Sequence, residues 1–143
     1  MRLTLHTDFS LRVLIHVGLC GGKLTTINDI AQSFEISKAH LMKVVNDLSQ
    51  KGYLDTKRGR NGGIRLMREP RDINIGQVVR DTEKFDVIGC LEHKGYCPIE
   101  RVVGNATEAF LAVLDAHTLA DLIKPQRMLS SLLLGRRVPL RHT

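Results

Sequence analysis

Apolar positions along the chain fall into short runs with a helical period, separated by glycine and proline breaks. Ile27, Ile30, Ala31 and Phe34 recur at i, i+3, i+4 and i+7, one face of a 3.6-residue period. Thr26 precedes them with Asp29 three residues on, a near-match to a capping box. After Glu35 and Ile36, Ser37 can cap a second helix in which Leu41, Val44, Val45 and Leu48 repeat the spacing. Its polar face carries Lys38, His40, Lys43 and Asn46. Gly52 ends this helix beside Lys51, a cation suited to the negative end of the dipole. Tyr53 and Leu54 begin a strand, and Ile64 to Leu66 form its return partner. Between them Lys57-Arg58-Gly59-Arg60-Asn61-Gly62-Gly63 is a basic tip built on turn chemistry.

The flanks carry further elements. A first helix is predicted over 7–20, capped by Thr7 and ended by Gly21-Gly22, with Val13, Leu14, Ile15 and Val17 as its apolar contacts. Asp8 in its first turn reads most simply as an anion favoured by the dipole, and Cys20 as a small buried hydrophobe. Glu69-Pro70-Arg71 is a break. Ile75 to Glu83 is a short helix with Ile75, Val78 and Val79 on one face. Phe85 to Gly104 loses all periodicity and holds Cys90, Glu92, His93, Cys97 and Glu100. The longest periodic segment runs from Asn105 to Ile123, ended by Lys124-Pro125, with Ala106, Ala109, Phe110, Val113, Leu114, His117 and Ala120 as its stripe. Such a helix is about 28 Å long. A striped helix of that length pairs with something, and the two-fold symmetry of most helix-turn-helix operators points to the same helix of a second chain. His117 reads as a packed or interfacial histidine, Met128 to Leu134 as an apolar piece that docks on the dimer, and Arg136 to Thr143 as a frayed end.

The expected fold is therefore mainly α with a small β-hairpin. A winged helix-turn-helix DNA-binding domain occupies 1–83, a cysteine-containing loop 84–104, and a dimerisation helix with its C-terminal tail 105–143. At 143 residues the chain has room for one domain with an added arm, and six aromatic residues without Trp leave the core to aliphatic side chains. Charge sharpens the reading. From Ser37 to Arg71 there are nine Lys or Arg against three Asp or Glu, a net of +6. The whole chain is also +6, so everything outside this stretch sums to zero. A merely solvated face would not gather the entire excess on one motif; a polyanion footprint would. The second helix is the right size for a major groove, and the tip cations can reach phosphate or a minor groove. The candidate DNA contacts are Ser37, Lys38, His40, Lys43, Arg58, Arg60, Asn61, Gly62 and Gly63. No apolar run approaches the roughly 20 residues of a membrane span. Met1-Arg2-Leu3 leads into a polar stretch unlike a signal peptide, so a cytoplasmic protein without a membrane partner is expected.

Three cysteines without an export signal suggest reduced thiols or metal ligands. Cys90 and Cys97 stand seven residues apart with His93 between them and form no CxxC, so spacing alone leaves metal binding and unrelated thiols both open. Over nearly its whole length the chain resembles the small bacterial winged-helix repressors of the Rrf type, nearest to their nitric-oxide-sensing branch. The carriers are Leu3-Thr4 with Thr7-Asp8-Phe9-Ser10-Leu11-Arg12-Val13-Leu14, the wing Arg58 to Leu66, Cys97-Pro98-Ile99, Leu114-Asp115, and Thr118 to Leu122. The resemblance implies a homodimer whose iron–sulfur cluster, 4Fe–4S or 2Fe–2S, controls affinity for a double-stranded operator. Sensing members usually show three loop cysteines, whereas this loop has Cys90 and Cys97. Cys97 matches the family's second cysteine by its neighbours and the third by its distance from Thr118. An aspartate near the N-terminus of the partner chain completes the branch's ligand set, and Asp8 stands in the matching place. The implied ligands are thus Cys90, Cys97 and Asp8, with His93, Glu92 and Glu100 as candidates for the remaining position. The expected protein is a repressor that senses nitric oxide or redox and iron–sulfur status, not an enzyme. The alternatives are a cluster-free regulator with a thiol switch, and a zinc enzyme built on Cys90, His93 and Cys97. The last lacks any paired acid/base signature or phosphate-cradling loop.

Overall fold

The computed structural model describes residues 2–85 and 98–132, with the backbone alone over 126–132. Helix α1 (Leu5–Leu19) is the central rod, packing on the second helix of the helix-turn-helix, on the second wing strand, and on the fourth and sixth helices described below. Thr4 caps it rather than Thr7: the Thr4 hydroxyl accepts from the Thr7 N–H at 3.3 Å. The Thr4 N–H donates to Glu83 at 2.9 Å. Thr7 lies inside the first turn and is fully buried, which places the cap three residues ahead of the sequence expectation. Val13, Leu14 and Val17 face the core.

Helices α2 (Ile27–Phe34) and α3 (Lys38–Gln50) stand where the periodicity predicts them. Thr26 and Asp29 form the full reciprocal capping box, and Ser37 caps α3 by accepting from the His40 N–H at 3.3 Å. Strands β1 (Leu54–Lys57) and β2 (Gly63–Leu66) pair antiparallel, Leu54 opposite Leu66 and Lys57 opposite Gly63. Thr25 adds a strand-like bridge to Ile64, with reciprocal backbone bonds of 3.0 and 2.7 Å. That bridge ties the wing to the entry of α2. A 3₁₀ turn over Pro70–Asp72 leads to α4 (Ile75–Thr82), capped by Asn74, with Ile75, Val78 and Val79 buried as expected.

The single long helix expected over 105–123 is two helices, α5 (Pro98–Asp115) and α6 (Leu119–Leu132). Backbone pairing with the segment before α4 makes the break. The Ile75 N–H donates to the His117 carbonyl at 3.0 Å, and the Leu119 N–H donates to the Ile73 carbonyl at 2.8 Å. At the start of α6 the Thr118 N–H and hydroxyl both donate to Asp121, at 2.8 and 3.0 Å. His117 sits in the break and is exposed, not on a helical stripe. Pro125 lies inside α6 rather than after it. It removes one N–H from the helical ladder, yet Leu119 and Ile123 are buried in the packing of α6 on α1 and carry the helix through. The apolar piece expected over 128–134 continues α6 to Leu132; residues 133–143 lie outside the described set.

The expected stripe of α5 also divides. Leu111 is buried and Leu114 half-buried toward the winged domain, while Phe110 meets Phe85 edge-on at 6.4 Å. Ala106, Ala109 and Val113 face out with Ile99 and Val102. Arg80 fixes the end of α5 on α4 through a bidentate pair with Asp115, at 2.6 and 2.8 Å.

Candidate nucleic-acid interface

The turn between α2 and α3 is set by Glu35, whose left-handed backbone (φ 54°, ψ 39°) reverses the chain while the Ile36 N–H returns to the Ala31 carbonyl at 3.3 Å. Leu41, Val44, Val45 and Leu48 lock α3 into the core. Ala39, Met42, Lys43 and Asn46 therefore point away from it. Of the expected DNA contacts on this helix, Ser37, Lys38, His40 and Lys43 are all exposed. Ser37 has its hydroxyl on the helix cap, and the His40 ring packs edge-on against Phe9 of α1 at 5.9 Å. Met42 is absent from the sequence-derived set although it is 60 % exposed. Its signal was its position outside the Leu41–Val44–Val45–Leu48 period.

Asp47 is the acidic residue on α3, and it is turned inward and neutralised. Lys51 Nζ lies 2.6 Å from both of its oxygens and His6 of α1 bonds it at 2.9 Å. Burial alone would raise its pKa; the bonds and charges of Lys51 and His6 overcome that and hold the carboxyl below the usual carboxylate range. Lys51 is thereby spent inside the fold. So is Arg65, which pairs with Asp55 across the wing at 2.8 Å. Lys38, Lys43, Lys57, Arg58 and Arg60 are exposed and have no acidic partner among the described residues.

The wing tip is shaped by two glycines. Gly59 has φ +106°, a conformation that side chains rarely adopt, and a Cβ on Gly62 would fall 2.1 Å from the Lys57 carbonyl oxygen. This tight loop brings Arg58, Arg60 and Asn61 to one exposed end of the hairpin. At its base, Tyr53 donates to Asp81 at 2.5 Å, and burial together with that acceptor pushes the phenol above its ordinary range. Arg68 lies over the Tyr53 ring, 4.8 Å from its centroid. The hairpin is thus anchored to α4 at one end and free at the other.

Of the expected cluster ligands, Asp8 lies on the first turn of α1. Its Oδ2 accepts from Arg12 Nε at 3.0 Å, and its side chain is 41 % exposed. It lines an open cavity of about 490 Å³ shared with Phe9, Arg12, Phe34, Ser37 and His40, between α1 and the start of α3. Cys90 and Cys97 lie outside the described residues, as do Glu92 and His93, while Glu100 is exposed on the first turn of α5. Among the described residues no three His, Cys, Asp or Glu gather as a metal site. Cys20, the described cysteine, donates to the His16 carbonyl at 3.3 Å, and burial pushes its thiol up.

Residues 3–125 match the family model Rrf2, described as iron-dependent transcriptional regulator. The HTH-type transcriptional regulator NsrR of Bacillus subtilis is 49 % identical over 142 residues, covering 93 % of this chain and 97 % of that protein. The NsrR of Geobacillus kaustophilus is 46 % identical over 146 residues, covering 96 % and 99 %. Among solved structures, CymR, the global cysteine regulator of B. subtilis, superposes with a TM-score of 0.71 at 25 % identity, over 87 % of this chain and 97 % of that one. IscR of T. potens shares the fold, with a TM-score of 0.72 at 24 % identity over 88 % of each chain.

Proposed function

Because the chain belongs to the Rrf2 family of winged-helix transcriptional regulators, we propose that this DNA-binding repressor works as a homodimer and reports nitric oxide or iron–sulfur status to its operator. It is a regulator, not an enzyme. The observation that carries the dimer is the outward stripe of α5. Ile99, Val102, Ala106, Ala109 and Val113 follow a three-four spacing, and the three large ones are 53, 62 and 63 % exposed. An apolar seam with that period is the geometry of a helix that pairs with a copy of itself. Two-fold pairing of α5 presents two α3 helices and two wings to one duplex, and an operator of two half-sites about 34–36 Å apart answers that symmetry.

In this reading Ser37, Lys38, His40 and Lys43 of α3 meet the major groove. Arg58, Arg60 and Asn61 of the wing meet backbone or minor groove, and Gly62 and Gly63 give the tip its tight shape. The domain boundaries proposed are 1–83 for DNA binding, a cluster loop that α5 shortens from the expected 84–104 to 84–97 by starting at Pro98, and 98–143 for dimerisation. Cys90 and Cys97 of one chain with Asp8 of a second copy are the proposed cluster ligands. Two thiolates and a carboxylate suit iron–sulfur ligation by their chemistry, and Asp8 keeps Oδ1 without a hydrogen bond among the described residues. The bound cluster would supply iron at which nitric oxide reacts. Asp8 is well placed to pass its state on. Its α1 neighbours touch the helix-turn-helix directly, Arg12 over the Phe34 ring at 5.9 Å, Phe9 against His40 at 5.9 Å, and His6 on Asp47. A shift of the first turns of α1 therefore moves against α2 and α3 without passing through the core.

The test is anaerobic purification followed by iron and sulfide analysis, a visible spectrum, and operator binding before and after nitric oxide. Wild type should be brown with sulfide and lose operator affinity on nitric oxide. Cys90→Ala and Cys97→Ala should be colourless. Colourless wild-type protein without sulfide that still binds operator would leave the winged-helix regulator and remove the cluster.

A further inference from the structure

Helix α3 is turned so that its outward side chains include residues beyond those its polar pattern suggests. Its inward face is closed by Leu41, Val44, Val45 and Leu48. At 100° per residue the opposite direction belongs to Ala39, Met42, Lys43 and Asn46, all exposed. Lys38 stands to one side of that line, and His40 is drawn to the other by its contact with Phe9. Met42 is anomalous there. It is an apolar side chain, 60 % exposed, on the face of α3 that also carries Lys43. It contributes little to the core and is available to whatever this face binds.

The major groove offers one apolar feature to such a side chain, the C5-methyl group of thymine. Asn46 is one turn further along the same face and has no hydrogen-bond partner among the described residues. Its carboxamide matches the N6 donor and N7 acceptor of adenine as a bidentate pair. Four residues of helix rise about 6 Å against 3.4 Å for each base pair. The two side chains thus meet base pairs one or two steps apart. Ala39, one turn before Met42, presents only a methyl group and lets the helix approach closely. Asp47, which would repel the duplex, is held by Lys51 and His6. Resting on the DNA-binding reading above, we propose that Met42 and Asn46 are the specificity-determining side chains of α3. Met42 contacts a thymine methyl and Asn46 an adenine within two base pairs of it, giving each half-site an A·T core.

The test uses the full-length protein and a pool of duplexes with a randomised segment of about 20 base pairs, enough for two half-sites. Wild type, Met42→Ala and Asn46→Ala are each taken through selection. The strongest wild-type duplex is then compared with versions in which single thymines are replaced by deoxyuridine, which lacks only the methyl group. Wild type should enrich paired half-sites containing a thymine and an adenine within two steps, and lose about fourfold for each single deoxyuridine substitution. Met42→Ala should bind the thymine and deoxyuridine duplexes equally. Asn46→Ala should lose its adenine preference at one column of each half-site, with a drop of roughly fivefold to a hundredfold per half-site on the wild-type duplex. Both side chains are exposed, so folding is unaffected, and far-UV circular dichroism verifies this. Enrichment by wild type with unchanged columns in both variants would overturn the assignment while leaving the DNA-binding reading standing. Retention of no duplex by wild type would overturn both.

Discussion

Replacing Val113 by Glu separates dimer formation from folding, because the residue is 63 % exposed in its own chain. Burying the exposed part of a valine contributes about 1 kcal/mol per chain, taking the lower end of the usual range, so about 2 kcal/mol per symmetric dimer. A carboxylate at the same place adds a desolvation penalty of several kcal/mol where no partner is provided. Together these exceed about 4 kcal/mol, a weakening of the dimer by roughly a thousandfold or more. Val113→Ala, which removes area alone, should weaken it by no more than about thirtyfold. Sedimentation equilibrium over a micromolar concentration series reads both constants, and far-UV circular dichroism checks that the monomer is folded. Phe110→Glu is the contrast. Phe110 packs on Phe85 of its own chain, so that variant should lower thermal stability as well as assembly. A Val113→Glu protein that dimerises like wild type would refute the pairing of α5 and return its outward stripe to some other contact.

The wing and the recognition helix give further expectations. Arg60→Ala should weaken operator binding and reduce the slope of log affinity against log salt by about one unit, read by fluorescence anisotropy at several salt concentrations; an unchanged slope would remove a phosphate contact at this side chain. Gly62→Ala should deform the wing, because its Cβ would meet the Lys57 carbonyl at 2.1 Å, and should reduce operator affinity in a protein whose helical content is intact. Gly59→Ala has open space but a φ of +106°, and should cost about 1–2 kcal/mol in urea denaturation. Asp47 has a depressed folded pKa, so its contribution to stability is present above the unfolded value of about 3.9 and is lost as pH falls through the folded one. The loss in melting temperature of Asp47→Asn relative to wild type should accordingly be largest near neutral pH and shrink below about pH 4; a pH-independent difference would mean that the His6 and Lys51 contacts do not form in solution.

What the sequence by itself determined is what short-range chemistry controls. The start of α2 is written in Thr26 and Asp29, the start of α3 in Ser37, and the wing in its glycines, because each of these closes hydrogen bonds or turns within a few residues. The cationic face was legible for a related reason: charge counts survive folding even when positions do not. Tertiary structure decided the rest. Thr4 and Thr7 are equally able to cap a helix, and the choice rests on Glu83, 79 residues away. The long helix breaks at His117 because its backbone is claimed by Ile73 and Ile75, which no helical period records. Pro125 is tolerated where Leu119 and Ile123, just ahead of it, are buried in the packing of α6 on α1. The two faces of α5, and the exposure of Met42 on α3, follow from what packs on the opposite side of each helix. An apolar side chain is the same on either face, and only the packing of the other elements tells core from contact surface.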